Sequence, residues 1–165
     1  MIKSGKVIKV GISDLNIAKS PHVIRTSGLG SCVGIVIYDL KKQTAGLAHI
    51  MLPDSTVTRQ DKINTFKYAD TAIPILIEKI LQTGARHPAL QAKIAGGARM
   101  FQFNSGSDVM KIGARNIEAV KAHLEHANIP IIASDVGGNQ GRTIEFDPST
   151  GKLGIRTVYK EEKYI

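Results

Sequence analysis

A chain of 165 residues, 42% hydrophobic and 22% charged, has the size and composition of one soluble globular domain, 1–165, able to bury a core without disulfides or metal. Its single cysteine excludes an internal disulfide and the paired cysteines of a zinc site, no apolar signal segment follows Met1, and the cytoplasm is the default compartment. A net charge of +8 points to an acidic partner, whether nucleic acid, an anionic membrane surface or an acidic protein surface, and the scattered basic residues and lack of Trp argue against nucleic acid.

Taken in chain order, residues 6–12 (KVIKVGI) alternate as a strand. Val23–Thr26 reads as a second, ending where Ser27-Gly28-Leu29-Gly30-Ser31 must turn. Val33–Tyr38 is β-branched and apolar, Asp39–Lys42 is a turn candidate, and residues 45–52 (AGLAHIML) form the return strand. Phe66, Ala69, Ile73, Leu76, Ile77 and Ile80 recur at helical spacing, with Gly84 at the expected C-cap. Pro74 falls inside that pattern: either the helix kinks there, or it starts near Asp70-Thr71 with Pro74 in its first turn. A strand at 90–96, a loop, a helix near 113–127 with Ile117, Val120 and Leu124 inward, a strand at 129–134 and a C-terminal hairpin complete the chain. This order indicates an α/β domain in which helices cover a mixed sheet.

The glycine loops are weak signals. Gly137-Gly138-Asn139-Gln140-Gly141 precedes a hairpin, whereas a phosphate loop must lead into a helix N-terminus. His123 and His126 lie on one helix without an acidic third ligand, and His22 and His87 stand beside prolines, so no metal site is expected.

Cys32 and His49 remain. Free cysteine is among the most buried residue types, and a histidine in a strand is usually inert. A two-residue turn on Leu40-Lys41, however, would pair Cys32 directly with His49, on one face with Cβ atoms about 4.5–5.5 Å apart. A one-residue slip would separate them to opposite faces. A neighbouring imidazolium lowers a thiol's pKa, which makes the pair the minimum equipment for acyl transfer. Gly28 and Gly30, with Ser31, allow a sharp turn that aims N–H groups at an oxyanion. Thr26 is well placed to orient the imidazole.

The segments 26–32 (TSGLGSC) and 46–53 (GLAHIMLP) resemble the chemoreceptor glutamine deamidase family, CheD. Blocks at 67–70 (KYAD), 96–101 (GGARMF), 112–116 (IGARN) and 137–142 (GGNQGR) match in order, so the resemblance spans nearly the whole chain. It implies an α/β sandwich that hydrolyses selected glutamine side chains on the cytoplasmic helices of bacterial chemoreceptors, without a cofactor. Cys32 is then the nucleophile, His49 the general base and acid, and Thr26 the orienting group. The resemblance also implies binding to the phosphatase CheC and hydrolysis of glutamate methyl esters. Arg99–Asn104 holds two of the chain's four phenylalanines, Phe101 and Phe103, which form a candidate partner surface for CheC. Rival readings are a non-enzymatic binding module with a structural Cys32, and a cysteine protease.

Overall fold

A computed structural model of the chain describes residues 5–57, 64–100, 111–158 and 160–165. Two sheets and two α-helices form three layers. The strands are β1 (Val7–Val10), β2 (Asp14–Lys19), β3 (Val23–Leu29), β4 (Val33–Asp39), β5 (Thr44–Ile50), β6 (Gln91–Gly96), β7 (Ile131–Val136), β8 (Arg142–Asp147), β9 (Lys152–Thr157) and β10 (Lys163–Tyr164). The helices are α1 (Ala69–Gln82) and α2 (Ile112–His126). One sheet has the order β1-β3-β8-β9-β10 and the other β2-β5-β4-β6-β7, each mixing parallel and antiparallel pairs. The α/β sandwich expected from the sequence is therefore present, with both helices on the outer face of the second sheet.

The β4–β5 hairpin lies at the centre, and every one of its strand residues is buried. Strand periodicity sends alternate side chains to two different cores. Val33, Ile35 and Ile37 pack with Ala48 and Ile50 against Ala72, Ile73, Leu76 and Ile80 of α1 and Val120 and Leu124 of α2. Cys32, Val36 and Tyr38 face the other way, packing with Ala45 and Leu47 against Ile24, Leu29, Ile144 and Phe146 of the first sheet. Strands covered on both faces read as continuous apolar runs, which is why Val33–Tyr38 stood out in the sequence.

The hairpin turn differs from the two-residue turn expected. Asp39 pairs with Thr44, so the loop is Leu40–Gln43, closed by the Gln43 N–H on the Leu40 carbonyl and by a left-handed Gln43 at φ 51°. Two extra loop residues move the register by two, so His49 lies opposite Gly34 instead of Cys32. An even shift preserves the face. Cys32, just outside the strand end, is a diagonal neighbour of His49 on the same side of the sheet.

Two strands escaped the sequence reading. In β2 (DLNIAK) only Leu15 and Ala18 are buried, and its polar residues hide the alternation. The two-residue β10 is too short to carry a period. Helix α1 starts at Ala69, which puts Pro74 in its second turn, beyond the tolerated first turn; the Asp70 carbonyl there loses its i+4 donor. Gly84, at φ 102°, follows the helix as expected of a C-terminal glycine.

Leu76 is fully buried between α1 and the central hairpin. Leu76→Ala should cost about 2–5 kcal/mol of stability, read as a lower urea midpoint at unchanged slope.

Candidate active site

Strand β3 carries Thr26 toward the first glycine of the turn. A register shift against β8 between Thr26 and Leu29 lets the chain swing out, with Gly28 at φ 74°, a conformation that suits a residue without Cβ. The Gly30 N–H donates to the Gly28 carbonyl at 3.1 Å, and the Gly30 carbonyl accepts from Ala98 N–H at 2.8 Å. The Gly30 donor is thus engaged inside the turn, and Ser31 and Cys32 supply the N–H groups that follow it.

Cys32 comes next, one residue before β4. Its carbonyl accepts the Gly97 N–H at 2.8 Å, and Gly96 passes so close that a Cβ there would overlap the same carbonyl oxygen. The strand end of β6 therefore buttresses the cysteine main chain directly.

His49 projects from β5 into the layer between the sheets and is fully buried, whereas Cys32 above it is 9% exposed. His49 Nδ1 lies 2.7 Å from Thr26 Oγ1, and Thr26 Oγ1 lies 2.7 Å from the Val10 carbonyl oxygen. A hydroxyl has one proton, and a carbonyl can only accept. Thr26 must therefore donate to Val10 and accept from His49, which puts the imidazole proton on Nδ1 and leaves the Nε2 lone pair free. That Nε2 is buried and has no hydrogen-bond partner among the described residues.

Burial dominates the electrostatics. It lowers the pKa of His49 from 6.5 to about 4, so the imidazole is neutral at physiological pH. Burial also raises the Cys32 thiol above its ordinary value, a rise partly offset by the cysteine's own main-chain N–H, which favours the thiolate. The thiolate–imidazolium pair expected from the sequence is replaced by a neutral thiol beside a neutral imidazole. The desolvation is the reason: a hydroxyl partner orients His49 without offering a charge to hold it protonated. Such a pair can still do nucleophilic chemistry, with the imidazole taking the proton as the sulfur attacks.

Thr26 and His49 are thus joined by a hydrogen bond, and Cys32 lies on the same face of the sheet at the end of the Gly28–Ser31 turn, with no hydrogen bond to the imidazole. Phe101 and Phe103 lie outside the described residues. Among the described residues no group of three or more His, Cys, Asp and Glu side chains could hold a metal ion. The loop at 137–141 joins β7 to β8, and Arg142 secures it by donating to the Gly137 carbonyl and pairing with Asp135 across the two sheets. One polar contact at the site was not read from the sequence: Asn116 of α2, fully buried, donates from Nδ2 to both the Ser31 and Met51 carbonyls at 2.9 Å. Its sequence signals were a place in the 112–116 block and a polar residue on the inward face of an amphipathic helix, and neither named its partners.

Comparison with known proteins gives a consistent family. A family profile described as CheD chemotactic sensory transduction matches residues 51–157. A protein of Halalkalibacterium halodurans named chemoreceptor glutamine deamidase CheD is 57% identical over 159 residues, covering 96% of this chain and 98% of the relative. The protein of the same name from Bacillus subtilis is 57% identical, covering 96% of each chain. A probable chemoreceptor glutamine deamidase CheD of Clostridium botulinum is 57% identical over 93% of this chain and 94% of its own length. The profile match begins just after His49, but coverage this extensive includes the Thr26–His49 segment.

The depressed His49 pKa fixes the sign of a pH effect on stability. Above about pH 6.5 the imidazole is neutral folded or unfolded, and stability is full. Between about 6.5 and 4 the unfolded chain takes up a proton that the folded chain refuses, and stability falls by on the order of 3 kcal/mol. Urea titrations across that range should show this loss in the wild type and a flatter profile in His49→Asn.

Proposed function

The chain belongs to the CheD family, and from that premise we propose that it hydrolyses glutamine side chains of chemoreceptors to glutamate through a thioester on Cys32. The observation that carries the mechanism is the His49 tautomer: a free Nε2 lone pair, held by Thr26, on the face that Cys32 shares.

In the first half-reaction Cys32 Sγ attacks the side-chain amide carbon while its proton passes to His49 Nε2. The carbonyl oxygen becomes an oxyanion, for which the Ser31 and Cys32 N–H groups are the donors beyond the engaged Gly30. The imidazolium, disfavoured by its buried setting, returns its proton to the amide nitrogen; the C–N bond breaks and ammonia leaves. Water then gives a proton to His49 Nε2 as it attacks the thioester carbon, and collapse of the second intermediate expels the sulfur, which recovers the proton. Thr26 keeps its bond to Nδ1 throughout and neither gains nor loses a proton.

A glutamate methyl ester fits the same cycle with methanol as leaving group, so methylester hydrolysis is part of the proposal. So is the cytoplasmic face of the receptor as the place of action; no helix among the described residues is long and apolar enough to cross a membrane. The net charge of +8 suits an acidic helical surface, whether presented by receptors or by CheC as a binding partner. The rival reading, a binding module with an inert thiol, draws on the raised thiol pKa and is separated by the same experiment.

Incubation with a receptor cytoplasmic fragment should release ammonia and add about 1 Da per modified site, and Cys32→Ala should abolish both because no other thiol is present. His49→Ala should reduce kcat by roughly 10²–10⁴-fold. Thr26→Val should cost less, since it removes an orienting bond and neither reacting group. Full turnover by the Cys32→Ala protein would refute the thioester on Cys32, and no turnover by the wild type would leave the binding-module reading standing.

A further inference from the structure

The β4–β5 ladder ends at Val33↔Ile50. Beyond it the Met51 and Leu52 N–H groups both donate to the Lys67 carbonyl, so neither reaches across to Ser31. The Ser31 and Met51 carbonyls are both acceptors and cannot bond each other. Asn116 supplies what the ladder lacks. Its amide nitrogen carries two protons and gives one to each carbonyl at 2.9 Å, and two carbonyl partners identify that atom as nitrogen. A helix side chain thereby ties the residue before the cysteine to the strand that carries the histidine.

The tie has a directional effect. The 31–32 peptide is trans, so its planar geometry sets the Cys32 N–H opposite to the Ser31 C=O. Holding that carbonyl toward α2 turns the Cys32 N–H away from the helix. The N–H is thereby directed to the inner face of the sheet, on which the Cys32 side chain lies, and there it favours the thiolate. It therefore faces the region where an oxyanion would form during attack by the Cys32 sulfur.

We infer that Asn116 is a positioning residue: by holding the Ser31 carbonyl it fixes the plane of the 31–32 peptide and aims the Cys32 N–H at the reacting centre as an oxyanion donor. The inference rests on the reading that Cys32 is the nucleophile. The amide is also an imperfect structural brace, because its Oδ1 is buried without a partner among the described residues, which offsets part of what its two donated bonds contribute.

The test uses the full chain with two substitutions. Asn116→Leu keeps the branched shape and removes both donors; Asn116→Asp keeps shape and polarity with at most one donor. Ammonia release from a receptor cytoplasmic fragment gives kcat and KM, and iodoacetamide alkylation of Cys32 from about pH 6 to 10 gives the apparent thiol pKa. In Asn116→Leu kcat should fall about 10²-fold with KM within about twofold, because the donor acts only in the transition state. Asn116→Asp should show a smaller loss, and in both variants the alkylation profile should move to higher pH. A purely structural brace would lower the melting temperature alone; wild-type kcat and an unmoved alkylation profile in a folded variant would overturn the inference. If Asn116→Leu does not fold, Asn116→Asp decides by the same criteria. If the wild type releases no Cys32-dependent ammonia, the deamidase reading fails separately, and the alkylation profile still decides the positioning: a shift supports it and coincident profiles refute it.

Discussion

The Thr26 hydroxyl, between His49 Nδ1 and the Val10 carbonyl, is the contact on which the site depends. It joins β1 and β3 of one sheet to β5 of the other across the inner layer of the sandwich. Because the hydroxyl has a single proton, the line has one polarity: His49 to Thr26 to Val10. The fold around it serves that line. The parallel pairing of β1 with β3 sets Val10 beside Thr26, and the apolar residues Leu29, Leu47 and Ile144 fill the same layer and keep it dry.

Dryness decides the charge state. In a desolvated layer an imidazolium is disfavoured, and a hydroxyl cannot compensate as a carboxylate would. Burial thus disfavours a thiolate at rest, and in the proposed reaction the nucleophile arises only as the proton moves. On that proposal Cys32 stays quiet in the absence of a correctly placed carbonyl, since the free energy of charge separation is recovered only when the oxyanion finds its donors. Orientation is strong here and ground-state activation weak.

The parts of the fold legible in the sequence were those where burial is strong and periodic. Val33–Tyr38 and the Ile73–Ile80 face are covered by other layers, so their apolar runs reported the core directly. The hairpin register was misjudged by two because Gln43 adopts a left-handed conformation that its residue type does not announce. The same-face relation of Cys32 and His49 survived because side chains alternate with period two. Thr26 could be anticipated from its place at the end of a strand leading into the turn. Asn116 could not, because its partners are main-chain carbonyls far away in sequence, and nothing in a helical pattern tells a buried asparagine from a misplaced polar one. The opposite pKa directions of thiol and imidazole were equally hidden, since they follow from burial depth.

The hydroxyl third member has one more consequence. The chain carries +8, so any encounter with an acidic surface is an electrostatic matter, weakened as dissolved ions shrink the Debye length to about 8–10 Å and below. The thiol, imidazole and hydroxyl carry no formal charge at rest, and His49 and Thr26 lie where mobile ions cannot follow. In the proposed reaction ionic strength would therefore act on the two halves separately: it would govern how often a partner arrives, and leave untouched the proton transfer that follows arrival.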